Sequence, residues 1–110
     1  MTVFDLTDIS RLEASAAKAA SLLRAMSNER RLMILCRLGE GELQVAALQA
    51  SVGLSQSALS QHLAVLRDEG LVSARREGQA VFYRIADPAA VRVIATLADI
   101  LCPPDLKGSQ

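Results

Sequence analysis

The segment from Leu54 to Leu66 reads as one helix with two unlike faces. Ala58, Leu59, Leu63 and Leu66 recur at three- and four-residue spacing, so a single helical face can bury them together. The other face begins with Gln56, Ser57, Ser60 and Gln61. These are short, uncharged donors and acceptors, suited to reading base edges. Ser55 fits an N-cap, whose hydroxyl accepts from an orphan N–H of the first turn. Gly70 fits the stop, as a glycine just past a helix end. An ordinary amphipathic surface helix would carry the same pattern, so the flanking sequence has to decide between the two.

Upstream, residues 1–9 read as a flexible N-terminus, and a single alanine-heavy helix is expected from about Ser10 to Ala25. Leu12, Ala16, Ala19, Ala20 and Leu23 share a face there, and residues that small permit close helix–helix approach. Asn28 should cap a second helix over roughly 29–39, with Leu32, Leu35, Cys36 and Leu38 inward and Arg30, Arg31 and Arg37 more exposed. Gly39 to Glu42 reads as a turn. Val45 to Ser51 gives a short third helix, ended by Gly53. Helix, short helix, glycine-containing turn, helix is the order of a helix-turn-helix.

Beyond Gly70 the period changes from helical to alternating. Leu71 to Arg76 and Ala80 to Ile85 are short β-type runs joined by the tight loop Glu77-Gly78-Gln79. Val81, Tyr83 and Ile85 alternate onto one face, and Phe82 and Arg84 onto the other. A hairpin carrying Arg75, Arg76 and Arg84 directly after a base-reading helix would be a wing whose arginines reach phosphates; a merely solvated hairpin face is the plainer alternative. Asp87-Pro88 opens a last helix, with Asp87 as N-cap and Pro88 in the first turn. From 89 to 102 its polar side chains are Arg92, Thr96 and Asp99, a narrow stripe on an otherwise apolar surface. A helix apolar nearly all round has two partners to satisfy. In so small a chain the second is expected to be another copy of the protein.

The chain is 110 residues long, enough for one domain with a modest core. Half of it is apolar with only three aromatics, so that core must be aliphatic. Twelve basic residues balance twelve acidic ones, which argues against coating nucleic acid by bulk charge. Residues 55–86 carry four basic against three acidic side chains, a weak positive footprint that a dimer would double. No apolar run reaches a membrane span, and no secretory signal is visible at the N-terminus. A cytoplasmic protein without membrane contact is expected, with Cys36 and Cys102 reduced at rest. The expected architecture is mainly α with a β-hairpin wing: a winged helix-turn-helix of five helices over 10–102, dimerising through its first and last helices. Residues 103–110 read as a flexible tail after Pro103-Pro104.

The run Leu54 to Leu63, followed by Leu66-Arg67-Asp68-Glu69-Gly70-Leu71-Val72 and Arg75-Arg76-Glu77-Gly78-Gln79, resembles the ArsR family of winged-helix repressors over roughly residues 15–102. The resemblance implies a homodimer that occupies double-stranded promoter DNA and leaves it when an inducer binds. It also implies that Gln56, Ser57, Ser60 and Gln61 enter the major groove, and that His62 supports the helix rather than acting as a ligand. Many such proteins sense metals, and here the sequence departs from them. Glu42 to Leu48 lacks the Cys-x-Cys of arsenic and cadmium sensors, and the last helix lacks the His of zinc sensors. One His and two Cys do not readily make a four-coordinate zinc site within one protomer. No metal and no cofactor is therefore expected.

The remaining pair, Cys36 and Cys102, resembles the persulfide-responsive branch of the family, the BigR and SqrR type. By that resemblance reactive sulfur species join the two thiols through a disulfide or polysulfide bridge, and the dimer releases its DNA. This requires the second helix to pack near the end of the last one. Three alternatives stay open. Free cysteines often serve simply as small buried hydrophobes. The pair could respond to peroxide or to a thiophilic ion such as As(III). A thiol protein that does not bind DNA is the remaining class, and an enzyme is not expected, because no nucleophile–base pair is visible.

Overall fold

A computed structural model describes residues 6–102. Its elements run α1 (Leu6–Ala14), α2 (Ala16–Met26), α3 (Glu29–Leu38), β1 (Leu43–Gln44), α4 (Val45–Val52), α5 (Gln56–Asp68), β2 (Val72–Glu77), β3 (Ala80–Ile85) and α6 (Pro88–Leu101). This is a winged helix-turn-helix, with α4 and α5 as the helical pair and β2–β3 as the wing hairpin. Three local chemistries set its boundaries as the sequence indicated. Asn28 Oδ1 accepts from the N–H groups of Arg30 and Arg31 at 2.9 and 3.0 Å and starts α3. Ser55 Oγ accepts from Ala58 N–H at 3.1 Å and starts α5. Asp87 Oδ1 accepts from Ala89 N–H at 2.9 Å and starts α6.

Two features differ from expectation. The long first helix is two helices, so the described residues hold six rather than five. Ser15 departs from helical geometry (φ −109°, ψ 11°), yet its N–H still reaches the carbonyls of Arg11 and Leu12. The break is a soft bend without the glycine or proline that would announce it in sequence. Residues 6–9, assigned to the flexible N-terminus, are helical; residues 1–5 and the tail 103–110 lie outside the described residues. The second difference is β1. It joins the hairpin to make a three-stranded antiparallel sheet in the order β1-β3-β2, with Leu43 opposite Tyr83 and Gln44 opposite Phe82. A two-residue strand whose partner lies about forty residues away has too short an alternation to read from sequence.

The core sits where α3, α4, α5 and the sheet meet. Ile34, Leu35 and Leu38 of α3 are buried there with Leu48 of α4, Leu59, Leu63 and Leu66 of α5, Leu71, Val72 and Tyr83. α3 is the common neighbour, packing against α2, α4, α5, α6 and β3. At its start, Arg31 binds the last carbonyls of α2, with Nε donating to Ala25 O at 2.5 Å and Nη2 to Arg24 O at 3.3 Å. The periphery is less enclosed. The Cα radius of gyration is 16.0 Å, against about 13 Å for a compact chain of this length. Leu12, Leu23, Ile100 and Leu101 are 58, 56, 70 and 74% exposed, so α1, α2 and the end of α6 carry apolar surface that the protomer leaves uncovered.

Candidate nucleic-acid interface

The underside of α5 is anchored before its outer face is considered. Leu59, Leu63 and Leu66 are at most 3% exposed. The helix then ends in a Schellman motif: Leu71 N–H donates to Leu66 O and Gly70 N–H to Arg67 O, both at 2.9 Å. Gly70 supplies the positive φ (+76°) this turn needs, and Leu71 buries itself against Leu66 as the motif favours. Held this way, α5 exposes Gln56, Ser57, Ser60 and Gln61. His62 is half-buried on the same helix.

Gln56 and Ser60 line a groove of about 800 Å³ between α4, α5 and the sheet. Ser57 and Gln61 are exposed outside it. The groove also takes in the expected Arg75 and Arg76, and Gln44, Gln49, Arg67 and Gln79, four polar side chains that the sequence reading did not assign. Gln49 had a signal, being one turn on from Val45 in the first helix of the helix-turn-helix. Gln44 had none, since its place follows from the unexpected β1. Arg67 is oriented from inside the fold, donating from Nη1 to Tyr83 Oη at 2.8 Å.

The wing turns through Gly78 and Gln79, with Glu77 opposite Ala80. Gly78 has φ +63° and no non-glycine residue has a positive φ among the described residues, the glycine-first pattern of a tight hairpin turn. The three wing arginines do not form one set. Arg76 pairs with Val81 on the core-side face and lines the groove. Arg84 lies opposite Ser73 and Arg75 opposite Phe82, with backbone positions on the other face, although the Arg75 side chain also lines the groove. Arg75 is already occupied: its Nε and Nη2 donate to the two carboxylate oxygens of Glu42 at 2.9 and 2.8 Å. Its Nη1 lies 3.4 Å from Glu77 Oε2, and its guanidinium sits 4.4 Å from the Phe82 ring centre. The hydrogen bonds from Arg75 hold the Glu42 carboxyl below the usual carboxylate range, with the charges of Arg75 and Arg84 adding to the effect.

Both cysteines are free and exposed. For Cys36 this corrects the expected inward orientation: at ~100° per residue it lies about 150° round α3 from the centre of the Ile34–Leu35–Leu38 face. Cys102 is the C-cap of α6, its N–H donating to Ala98 O at 2.9 Å. α3 packs against α6, and the two thiols are close enough for charge on one to act on the other. The Cys36 thiol is pushed above the ordinary value chiefly by partial burial, with Cys102 and Glu40 adding to the rise and Arg37 opposing it. Among the described residues no group of three or more His, Cys, Asp or Glu is placed to hold a metal ion, and no helix is long and apolar enough to cross a membrane.

A family model described as bacterial regulatory protein, arsR family, matches residues 28–74, from the cap of α3 into β2. The HTH-type transcriptional regulator YgaV of Escherichia coli K12 is 46% identical over 99 residues, 89% of this chain and all of that one. The structure of reduced HlyU from Vibrio cholerae N16961 superposes with a TM-score of 0.78 at 49% identity, covering 84% of this chain and 98% of that one. The transcriptional repressor BigR from Xylella fastidiosa gives a TM-score of 0.82 at 38% identity, over 86% of this chain and 96% of that one. HlyU of Vibrio cholerae is described as a transcriptional activator, so these relatives include both signs of regulation.

Proposed function

The chain belongs to the arsR family of bacterial regulatory proteins, and from that premise we propose that it is a repressor switched by its two thiols. It is a transcriptional regulator with a winged helix for DNA. In the proposed working state a cytoplasmic homodimer, joined through α1, α2 and α6, presents two copies of α5 to half-sites about one helical turn apart in promoter DNA. Gln56, Ser57, Ser60 and Gln61 read base edges, glutamine pairing best with adenine. Arg76 and Arg84 meet phosphates.

What supports the switch is the packing of α3, which carries Cys36, against α6, whose C-cap is Cys102. A thiolate of one takes a sulfane sulfur from a polysulfide, releasing a polysulfide one sulfur shorter. The other thiolate is persulfidated in the same way, and the first persulfide attacks its inner sulfur, forming a trisulfide bridge and expelling hydrosulfide. The bridge ties α3, which packs on α4 and α5, to α6 of the dimer contact. A shift in the spacing of two α5 helices then costs DNA affinity.

The test is a gel shift on a duplex enriched by the reduced protein from a random pool, before and after polysulfide. Binding should weaken markedly after treatment, while Cys36→Ser and Cys102→Ser proteins stay bound. Unchanged binding after mass spectrometry has confirmed the bridge would refute the switch. Parallel exposure to peroxide and arsenite separates the inducers: retained sulfur atoms mark the sulfur species, a plain disulfide marks peroxide, and an arsenic adduct marks the ion.

A further inference from the structure

Arg75, one of the wing arginines expected to meet phosphates, is held by contacts within the protein. Arg75 stands on β2 and Glu42 immediately before β1, the two outer strands of the sheet. Their ion pair crosses the whole sheet over Phe82 of the central strand, which lies directly opposite Arg75. All three guanidinium nitrogens face carboxylates, two on Glu42 and one on Glu77. β1 runs into α4 with no residue between them. A tie on Glu42 is therefore a tie between the wing and the entry of the helix-turn-helix.

We infer that Glu42 and Arg75 form a brace setting the wing's position against the base-reading helix, so that this pair determines DNA specificity rather than supplying a phosphate contact. The inference rests on the regulator reading above and goes beyond it. A bidentate arginine–carboxylate fork fixes direction as well as distance. Stacking on Phe82 fixes the plane of the guanidinium. β1 alone, two residues long, offers little resistance to the wing swinging about β3. Lysine keeps the charge of Arg75 but cannot reproduce the fork or the stack, and that difference separates a brace from a phosphate ligand.

The measurement is the affinity for the enriched duplex and for a random-sequence duplex across a salt series, with the full-length protein. Arg75→Lys, Arg75→Gln and Glu42→Gln should each reduce the preference for the enriched duplex by about five-fold, as expected for loss of one coupled contact. The double variant Glu42→Gln/Arg75→Gln should be no worse than either single change. The salt slope should stay that of the parent in all of them. In the free proteins, amide exchange at Leu43 and Gln44 should quicken. Parental behaviour of Arg75→Lys would overturn the brace. So would a slope flattened by about 0.9 in Arg75→Gln, the signature of one lost phosphate contact, or tighter random-duplex binding by Glu42→Gln. A parent protein that binds neither duplex would overturn the regulator reading and, with it, the specificity role; amide exchange would still report separately whether the pair holds β1.

Discussion

Cys36 meets opposed influences within a few residues. Partial burial raises its pKa, the neighbouring Arg37 lowers it, and Cys102 and Glu40 add to the rise. The sign fixes a pH dependence. A raised folded pKa means a smaller thiolate fraction near neutrality than a free cysteine has, and the thiolate is the nucleophile. Iodoacetamide labelling of Cys36, followed by mass spectrometry, should have a rate–pH midpoint above that of the unfolded chain, and Arg37→Gln should move it higher still. By linkage, the small stability this thiol contributes is present below the ordinary thiol pKa and is lost as pH rises through the folded value. The residue was easy to single out as one of two cysteines, but its direction was not. Apolar neighbours at 32 and 35 suggested burial, whereas the core-facing stripe of α3 is set by Ile34, Leu35 and Leu38. Arg75 is a similar case. Its charge was visible in the hairpin, but its partner lies 33 residues earlier, in a turn with no local reason to meet it.

The elements whose ends carry their own chemistry were the legible ones. Asn28, Ser55 and Asp87 start helices through side-chain bonds to nearby N–H groups, and Gly53 and Gly70 end them in the left-handed region. All of these act over two to five residues, so sequence order suffices. The strand β1 depends on a partner about forty residues away, and the bend at Ser15 has no glycine or proline to announce it, which is why neither was foreseen. The end of α5 allows a direct check. Gly70→Ala would place a Cβ at φ +76° and should cost about 1–2 kcal/mol, read as a lower urea midpoint with an unchanged m-value. Leu66→Ala, in the same motif but at 0% exposure, should cost about 2–5 kcal/mol by leaving a cavity. The larger loss at Leu66 would show that α5 is held more by its underside than by its cap.

At the scale of the molecule, the uncovered apolar surface is the main clue to assembly. Ile100 and Leu101 project from the last turn of α6, and Leu12 and Leu23 from α1 and α2, on the helices expected to meet a second copy. Ile100→Asp should shift the protein towards monomer in sedimentation velocity. It should also weaken binding to a two-half-site duplex by about a hundredfold, since the second half-site then loses the advantage of being tethered. Retained dimers with full affinity would move the interface elsewhere. α3 bears on this assembly from within, because it touches α4 and α5 on one side and α6 on another, with Cys36 turned outward. An outward position on such a hub is interchangeable in kind. A synthetic dithiol-bridging reagent or an engineered chelating pair at 36 and 102 could replace the natural stimulus, and the same DNA surface would answer a different chemical signal without redesign.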